Sequence, residues 1–182
     1  MRVLLLADTH CPTRARDLPA PVWEAVEAAD LVVHAGDWCD EATVLALRER
    51  SRALVGVAGN NDGDDVRRHL GEFEEFTAGG LRFGVVHETG PATGRERRCD
   101  DLHAGRLDVL VFGHSHVPWD TVTPSGVRLL NPGSPTDRRR QPACTYLTLT
   151  VASGALRDVD LHALPPRPGR ARGEDGSLQP WS

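Results

Sequence analysis

Seven residues of metal-binding type recur along this chain at the ends of apolar runs. In the stretch 109–116, VLVFGHSH, four apolar residues lead into Gly113, His114 and His116. In extended backbone, side chains two apart project to one side about 6–7 Å from each other, so both imidazoles can reach one small site. Asp8 and His10 follow the apolar run 2–7, Asp37 follows 30–35, Asn60 follows 52–58, and His87 closes 81–87. Two carboxylates, a carboxamide oxygen and four imidazoles exceed the needs of one tetrahedral ion and suit two divalent ions sharing a bridging group. Asp37, central in the order, could supply the bridge. Two such ions lower the pKa of a shared water, orient a phosphoryl group and neutralise charge as an in-line displacement proceeds. Attack by a bridging hydroxide would require no Ser or Cys nucleophile.

The elements that must position these residues alternate. Buried parallel strands are predicted at 2–7, 30–35 and 52–58, with helices at 18–29 and 40–50 returning the chain between them. A short helix at 64–69, strands at 72–77 and 81–87 around the Gly79-Gly80 turn, and a helix near 97–104 lead into the strand at 109–112. Two hairpins follow, 119–123 with 127–130 and 144–151 with 155–162. Open α/β sheets bind ligands outside the carboxyl ends of their strands, so all seven residues are expected to converge in one crevice.

The ordered set Asp8-x-His10, Gly36-Asp37, Gly59-Asn60-x-Asp62, His87 and Gly113-His114-x-His116 resembles the calcineurin-like metallophosphoesterases. Asn131-Pro132-Gly133-Ser134 is similar to a motif of their small bacterial phosphodiesterase branch. The resemblance implies an α/β fold, a four-layer α/β/β/α sandwich. It implies that Asp8, His10 and His116 hold one metal, that Asn60, His87 and His114 hold the other, and that Asp37 bridges both. Two divalent ions are the implied cofactor; Mn²⁺ is the first choice, and Fe, Zn, Co or Ni satisfy the same donors. The implied activity is hydrolysis of a small phosphate ester, nucleotide-like in one reading, with a diester favoured over a monoester. The rival reading is a non-catalytic interaction module, as the retromer subunit of this superfamily is understood to be, and the complete ligand set favours the enzyme.

Asn61 stands where many relatives carry a histidine that protonates the leaving oxygen, and an amide donates no proton as an acid at neutral pH. Asn61 can hydrogen-bond a phosphoryl oxygen, while Asp62 is suited to orienting a ligand from behind. Glu88 follows His87 where relatives often have glycine, and the segment 88–98 offers a lid in which Arg95, Arg97 or Arg98 meets a phosphate. Trp38 and Trp119 each read as packing or as a stacking surface for a substrate base. His34 reads as a core histidine, and 138–140, Arg-Arg-Arg, as a solvated turn or a second phosphate site.

Length and composition set the outer bounds. With 182 residues, a net charge of −5 and a pI near 5.9, the chain suits one domain, 1–163, and lacks the basic footprint of a nucleic-acid polymer binder. Residues 164–182, rich in Pro, Arg and Gly, read as a flexible tail. No run reaches the ~18 apolar residues of a membrane span, and the N-terminus is too soon polar for a signal peptide, so a cytoplasmic protein is expected. The four cysteines lack framework spacing and read as free thiols, Cys11 and Cys39 lying beside the ligand motifs. Exposed apolar edges in the last hairpin would admit a homodimer.

Overall fold

The computed structural model describes residues 1–166. Strand β1 (Arg2–Leu6) pairs in parallel with β2 (Leu31–His34), and β2 pairs in parallel with β3 (Leu54–Gly56). Helices α1 (Ala20–Ala28) and α2 (Glu41–Arg50) make the returns. Pro21 suits the first turn of α1, where no N–H partner is needed. Asp40 starts α2, its Oδ1 accepting from the Thr43 N–H at 2.8 Å. The short α3 (Asp64–Arg67) leads to a second sheet, opened by the antiparallel pair β4 (Phe73–Ala78) and β5 (Leu81–Val86).

Beyond α4 (Arg95–His103), β6 (Val109–Val111) pairs in parallel with β5. The hairpin β7 (Trp119–Val122) and β8 (Arg128–Asn131) then folds back so that β8 lies parallel to β6. Strand β9 (Thr145–Ala152) crosses to the first sheet and runs antiparallel to β1, with β10 (Ala155–Ala163) at the edge. The strand orders are β10-β9-β1-β2-β3 and β4-β5-β6-β8-β7. The candidate residues therefore lie at the ends of strands from two facing sheets, not around the crevice of one.

Alternation within the strands separates the layers. Val3, Leu5, Val33, Phe83, Val85, Val111 and Leu149 fill the space between the sheets. Leu4, Leu6 and Val32 face outward beneath Val22, Val26, Val44 and Leu47 of α1 and α2, whereas Cys99 of α4 covers Leu110 and Leu129 on the other side. These contacts complete the four-layer α/β/β/α sandwich. Each fully buried aliphatic side chain contributes on the order of 1.5–3 kcal/mol of transfer free energy.

Trp38 belongs to this packing rather than to a substrate surface. It is fully buried, its indole N–H donates to the Val57 carbonyl at 2.8 Å, and it stacks on His34 at 3.6 Å between ring centroids. Leu164, assigned to the tail by composition, is buried, and its N–H donates to the Cys144 carbonyl. Pro165 and Pro166 are exposed, and residues 167–182 of the expected tail lie outside the described residues. Among the described residues, no helix is long and apolar enough to cross a membrane.

His34 is a core histidine with both nitrogens used. Nδ1 accepts from the Gly36 N–H at 3.2 Å, and Nε2 lies 3.2 Å from the Thr9 hydroxyl. Burial holds its pKa well below the ordinary 6.5, so the folded state keeps it neutral while the unfolded chain charges it. That contribution to stability is complete above pH 6.5 and is lost as pH falls, at about 1.4 kcal/mol per pH unit for one proton. Urea unfolding of chelator-stripped protein at pH 7 and pH 5 should therefore show a slope shallower by about one proton in His34→Gln. Equal slopes in the two proteins would contradict this account.

Candidate metal centre

All seven residues meet at one end of the two sheets. Asp8 and His10 lie just past β1, Asp37 past β2, Asn60 past β3, His87 past β5, and His114 and His116 past β6. Asp8, His10 and His116 place ligand atoms within 4.8 Å of one another, as do Asp8, Asp37 and His87. His10 Nε2 lies 3.5 Å from Asp37 Oδ2, and His87 Nε2 lies 3.4 Å from Asp37 Oδ1. Asp37 thus turns one oxygen to each of two groups. Asn60 Oδ1 closes the second group, 2.9 Å from both His87 Nε2 and His114 Nδ1.

The extended-strand geometry expected for His114 and His116 is not what unites them. β6 ends at Val111, and both histidines adopt left-handed backbone, with φ of 68° and 58°. Their imidazoles diverge: His116 goes to His10 and Asp8, His114 to Asn60 and His87. Asp8, His10 and Asp37 share the left-handed conformation, at 54°, 45° and 62°. Each such non-glycine residue costs of order 1–3 kcal/mol, sustained where surrounding structure over-determines it. Here the Asp8 N–H donates to the Gly36 carbonyl, the His10 N–H to the Asp37 carbonyl, and the His114 N–H to Asp8 Oδ1. Gly113 is required for close approach, because a Cβ there would lie 2.9 Å from the Ala35 carbonyl and 3.0 Å from Asp8 Oδ2.

The tautomers follow from the partners. His116 Nδ1 faces the Asp137 carbonyl at 2.6 Å and His87 Nδ1 faces the Ala35 carbonyl at 2.7 Å. A carbonyl only accepts, so each Nδ1 carries a proton; burial keeps His116 neutral with its Nε2 lone pair turned inward, whereas at His87 the neighbouring Asp37 outweighs burial and raises the pKa. His116 Nε2 then confronts His10 Nε2 at 3.1 Å, while His87 Nε2 lies 2.9 Å from the Asn60 oxygen. Lone pairs aimed at one another are held only by positive charge between them, a proton or a cation. Asp8 Oδ2 adds a buried oxygen without a hydrogen-bond partner among the described residues. This donor set fits divalent metal ions.

Electrostatics agree. Burial pushes the Asp8 carboxyl up to about 8, a penalty that a cation would reverse. Burial likewise lowers His10, and lowers His116 to about 4, which keeps both rings in the neutral, ligating form. Burial also opposes ionisation of Asp37, but the adjacent His87 and two hydrogen bonds from Asn61 outweigh it and hold that carboxyl well below its usual range. Cys39 Sγ lies 3.2 Å from His10 Nδ1, and burial raises the thiol to about 11, so it stays protonated at neutral pH.

Asn61 and Asp62 work on the backbone and on Asp37. The Asn61 amide donates to Asp37 Oδ2 at 2.6 Å and its N–H to Oδ1 at 2.8 Å, so its side chain is engaged with Asp37 rather than held out for a phosphoryl oxygen. Asp62 accepts from the N–H groups of Asp37, Cys39 and Gly59.

The supposed lid arginines are also engaged. Arg95 is buried against the rings of Phe112 and Trp119, with Nε donating to Thr89 Oγ1 at 3.0 Å. Arg98 donates to the Thr89 and Pro91 carbonyls. Neither guanidinium is directed to a substrate, whereas Arg97 is exposed. The 131–137 loop has a role that motif spacing did not reveal. Asn131 binds the Gly113 carbonyl, Ser134 the Asp8 carbonyl at 2.7 Å, and Thr136 the Thr9 carbonyl at 2.6 Å. Short hydroxyl residues after a Pro-Gly turn were the available signal.

Fold and site together define a phosphoesterase-type metal centre. The chain belongs to the calcineurin-like phosphoesterase superfamily, whose domain profile matches residues 1–154. It is 36% identical over 140 residues to a probable metallophosphoesterase of Methanothermobacter thermautotrophicus, covering 75% of this chain and 78% of that one. A Thermotoga maritima protein solved by NMR is 34% identical, with a TM-score of 0.71 over 90% of this chain and 99% of its own. Vps29 of Chaetomium thermophilum shares the fold at 22% identity, with a TM-score of 0.75 over 98% of this chain and 94% of its own. The family and the donor set mark a metal-dependent phosphoesterase.

Proposed function

We propose that this protein is a phosphodiesterase with two divalent ions, Mn²⁺ first among the candidates. Asp8, His10 and His116 would hold one ion, and Asn60, His87 and His114 the other, with Asp37 shared. The observation that carries this reading is the placement of Asp37, one oxygen toward His10 and the other toward His87. When bound, the ions would supply Lewis-acid charge and an activated water for in-line attack at phosphorus. The protein's part is to keep Asp37 ionised, to keep the His10 and His116 imidazoles neutral, and to fix the His87 and His116 rings through their outer nitrogens.

Asn61 leaves the site without the acid that would protonate a poor leaving group, so that proton must come from water. Turnover should depend steeply on leaving-group acidity, and the diester is favoured because its leaving group can be acidic while its charge is low. Under Mn²⁺, kcat/KM for bis(p-nitrophenyl) phosphate should exceed that for p-nitrophenyl phosphate at least about tenfold. The opposite preference would assign a monoesterase. Asn61→His should raise turnover of a dinucleotide with an alkoxide leaving group by roughly 10²-fold while changing nitrophenyl esters far less. An equal effect on both esters would defeat the acid-deficiency argument.

A further inference from the structure

The rim of the centre carries opposite charges on its two sides. Glu88 Oε1 lies 3.9 Å from His114 Nε2, on the side of Asn60 and His87. Arg139 lies on the other side. Its Nη1 donates to the His114 carbonyl at 3.3 Å, and its charge is among the influences felt, after burial, by Asp8, His10 and His116. Among the described residues it forms no ion pair with a carboxylate, unlike Arg14, which pairs with Asp137 at 3.6 Å.

The placement of Arg139 is built into the loop. Its N–H donates to Asp137 Oδ1, and its left-handed φ of 46° turns the chain back toward His114. Asp137 in turn accepts from His116 Nδ1 through its carbonyl, and its N–H donates to Ser134 Oγ. Ser134 is itself fastened to the Asp8 carbonyl. Arg139, exposed and with one hydrogen bond from its guanidinium to the His114 carbonyl, is thereby hung from the same residues that set the ligands, beside a candidate site for phosphorus.

We propose that Arg139 is a substrate-binding residue that selects small nucleotide diesters bearing a second, free phosphate, with Glu88 repelling that phosphate from the opposite side. The proposal rests on the phosphodiesterase reading and specifies its substrate class. Guanidinium suits a phosphate better than an ammonium does, because the planar fork binds two oxygens at once.

The test uses two esters that share leaving group and scissile phosphorus, thymidine 3′-(p-nitrophenyl phosphate) and its 5′-phosphorylated form. The Mn²⁺-loaded full chain should prefer the 5′-phosphorylated ester by roughly tenfold or more in kcat/KM. Arg139→Ala should bring that ratio close to one, Arg139→Lys should keep part of it, and Glu88→Gln should raise it. Calorimetry gives a readout independent of turnover: thymidine 3′,5′-bisphosphate should bind roughly tenfold more weakly to Arg139→Ala, while thymidine 3′-phosphate loses less. A native ratio near one, or a ratio and a bisphosphate affinity untouched by Arg139→Ala, would overturn the proposal. If neither ester is turned over with any metal, the phosphodiesterase reading fails, and the calorimetry still decides whether Arg139 selects the second phosphate.

Discussion

Asp37→Ala should lower hydrolysis of bis(p-nitrophenyl) phosphate by about 10³-fold or more, because charge stabilisation at a dinuclear site is worth several kcal/mol and each 1.4 kcal/mol is tenfold in rate. Asp37 turns one oxygen toward His10 and the other toward His87, and it is held ionised by His87 and Asn61. On the proposed bridging role, its loss would unite two effects, weaker ion binding and a poorly oriented phosphoryl group. Metal content after gel filtration, by atomic emission, should fall along with kcat. The protein should stay folded, since the hydrogen bonds lost are those of the Asn61 N–H and side-chain amide, which water can reach, and the His10 and His87 rings keep partners in Cys39, Ala35 and Asn60. More than about a tenth of native activity in folded Asp37→Ala would argue against a bridging role.

Asp62→Ala should produce the largest loss of stability among the site residues. Asp62 is 6% exposed, and its carboxylate accepts from Asp37 N at 3.0 Å, Gly59 N at 2.7 Å and Cys39 N at 2.8 Å. Alanine would strand three backbone donors, at about 1–3 kcal/mol for each that water does not reach. A total near 3–6 kcal/mol corresponds to a fall in Tm of roughly 6–24 °C for a chain of this size. The same bonds hold the left-handed Asp37 and join its loop to that of Asn60, so ion affinity should fall too. Chelator-stripped protein gives the clean comparison, because bound ions add their own stabilisation. A Tm within about 2 °C of native would contradict the clamp.

Much of this architecture was legible because it is local. Apolar runs of four to six residues ending in Asp, Asn or His located β1, β2, β3, β5 and β6 and the side chains at their ends. Gly79-Gly80 and Ser153-Gly154 announced their hairpins by turn chemistry. What escaped depends on pairings between distant residues. Nothing in the run 128–131 says that β8 lies parallel to β6, or in 145–152 that β9 leaves for β1; the two-sheet sandwich followed from the family resemblance and not from these runs themselves. The left-handed turns at His114 and His116 were hidden because distant side chains hold them, Asn131 donating to the Gly113 carbonyl and Asp8 accepting from the His114 N–H. Trp38 and Arg95 stayed open for a common reason: beside a site motif, residue type alone does not reveal whether a ring or a guanidinium is packed or exposed. Trp38 is packed on His34, and Arg95 on Phe112 and Trp119.

The most direct measurement is a metal titration of chelator-stripped full-length protein, following hydrolysis of bis(p-nitrophenyl) phosphate as Mn²⁺ is added. The account predicts negligible turnover in the stripped protein and a rate that rises to a plateau at two ions per chain, with Asp37→Ala flat throughout. Undiminished turnover after stripping, or none with Mn²⁺, Fe²⁺, Co²⁺, Ni²⁺ or Zn²⁺ in protein shown to be folded, would contradict it.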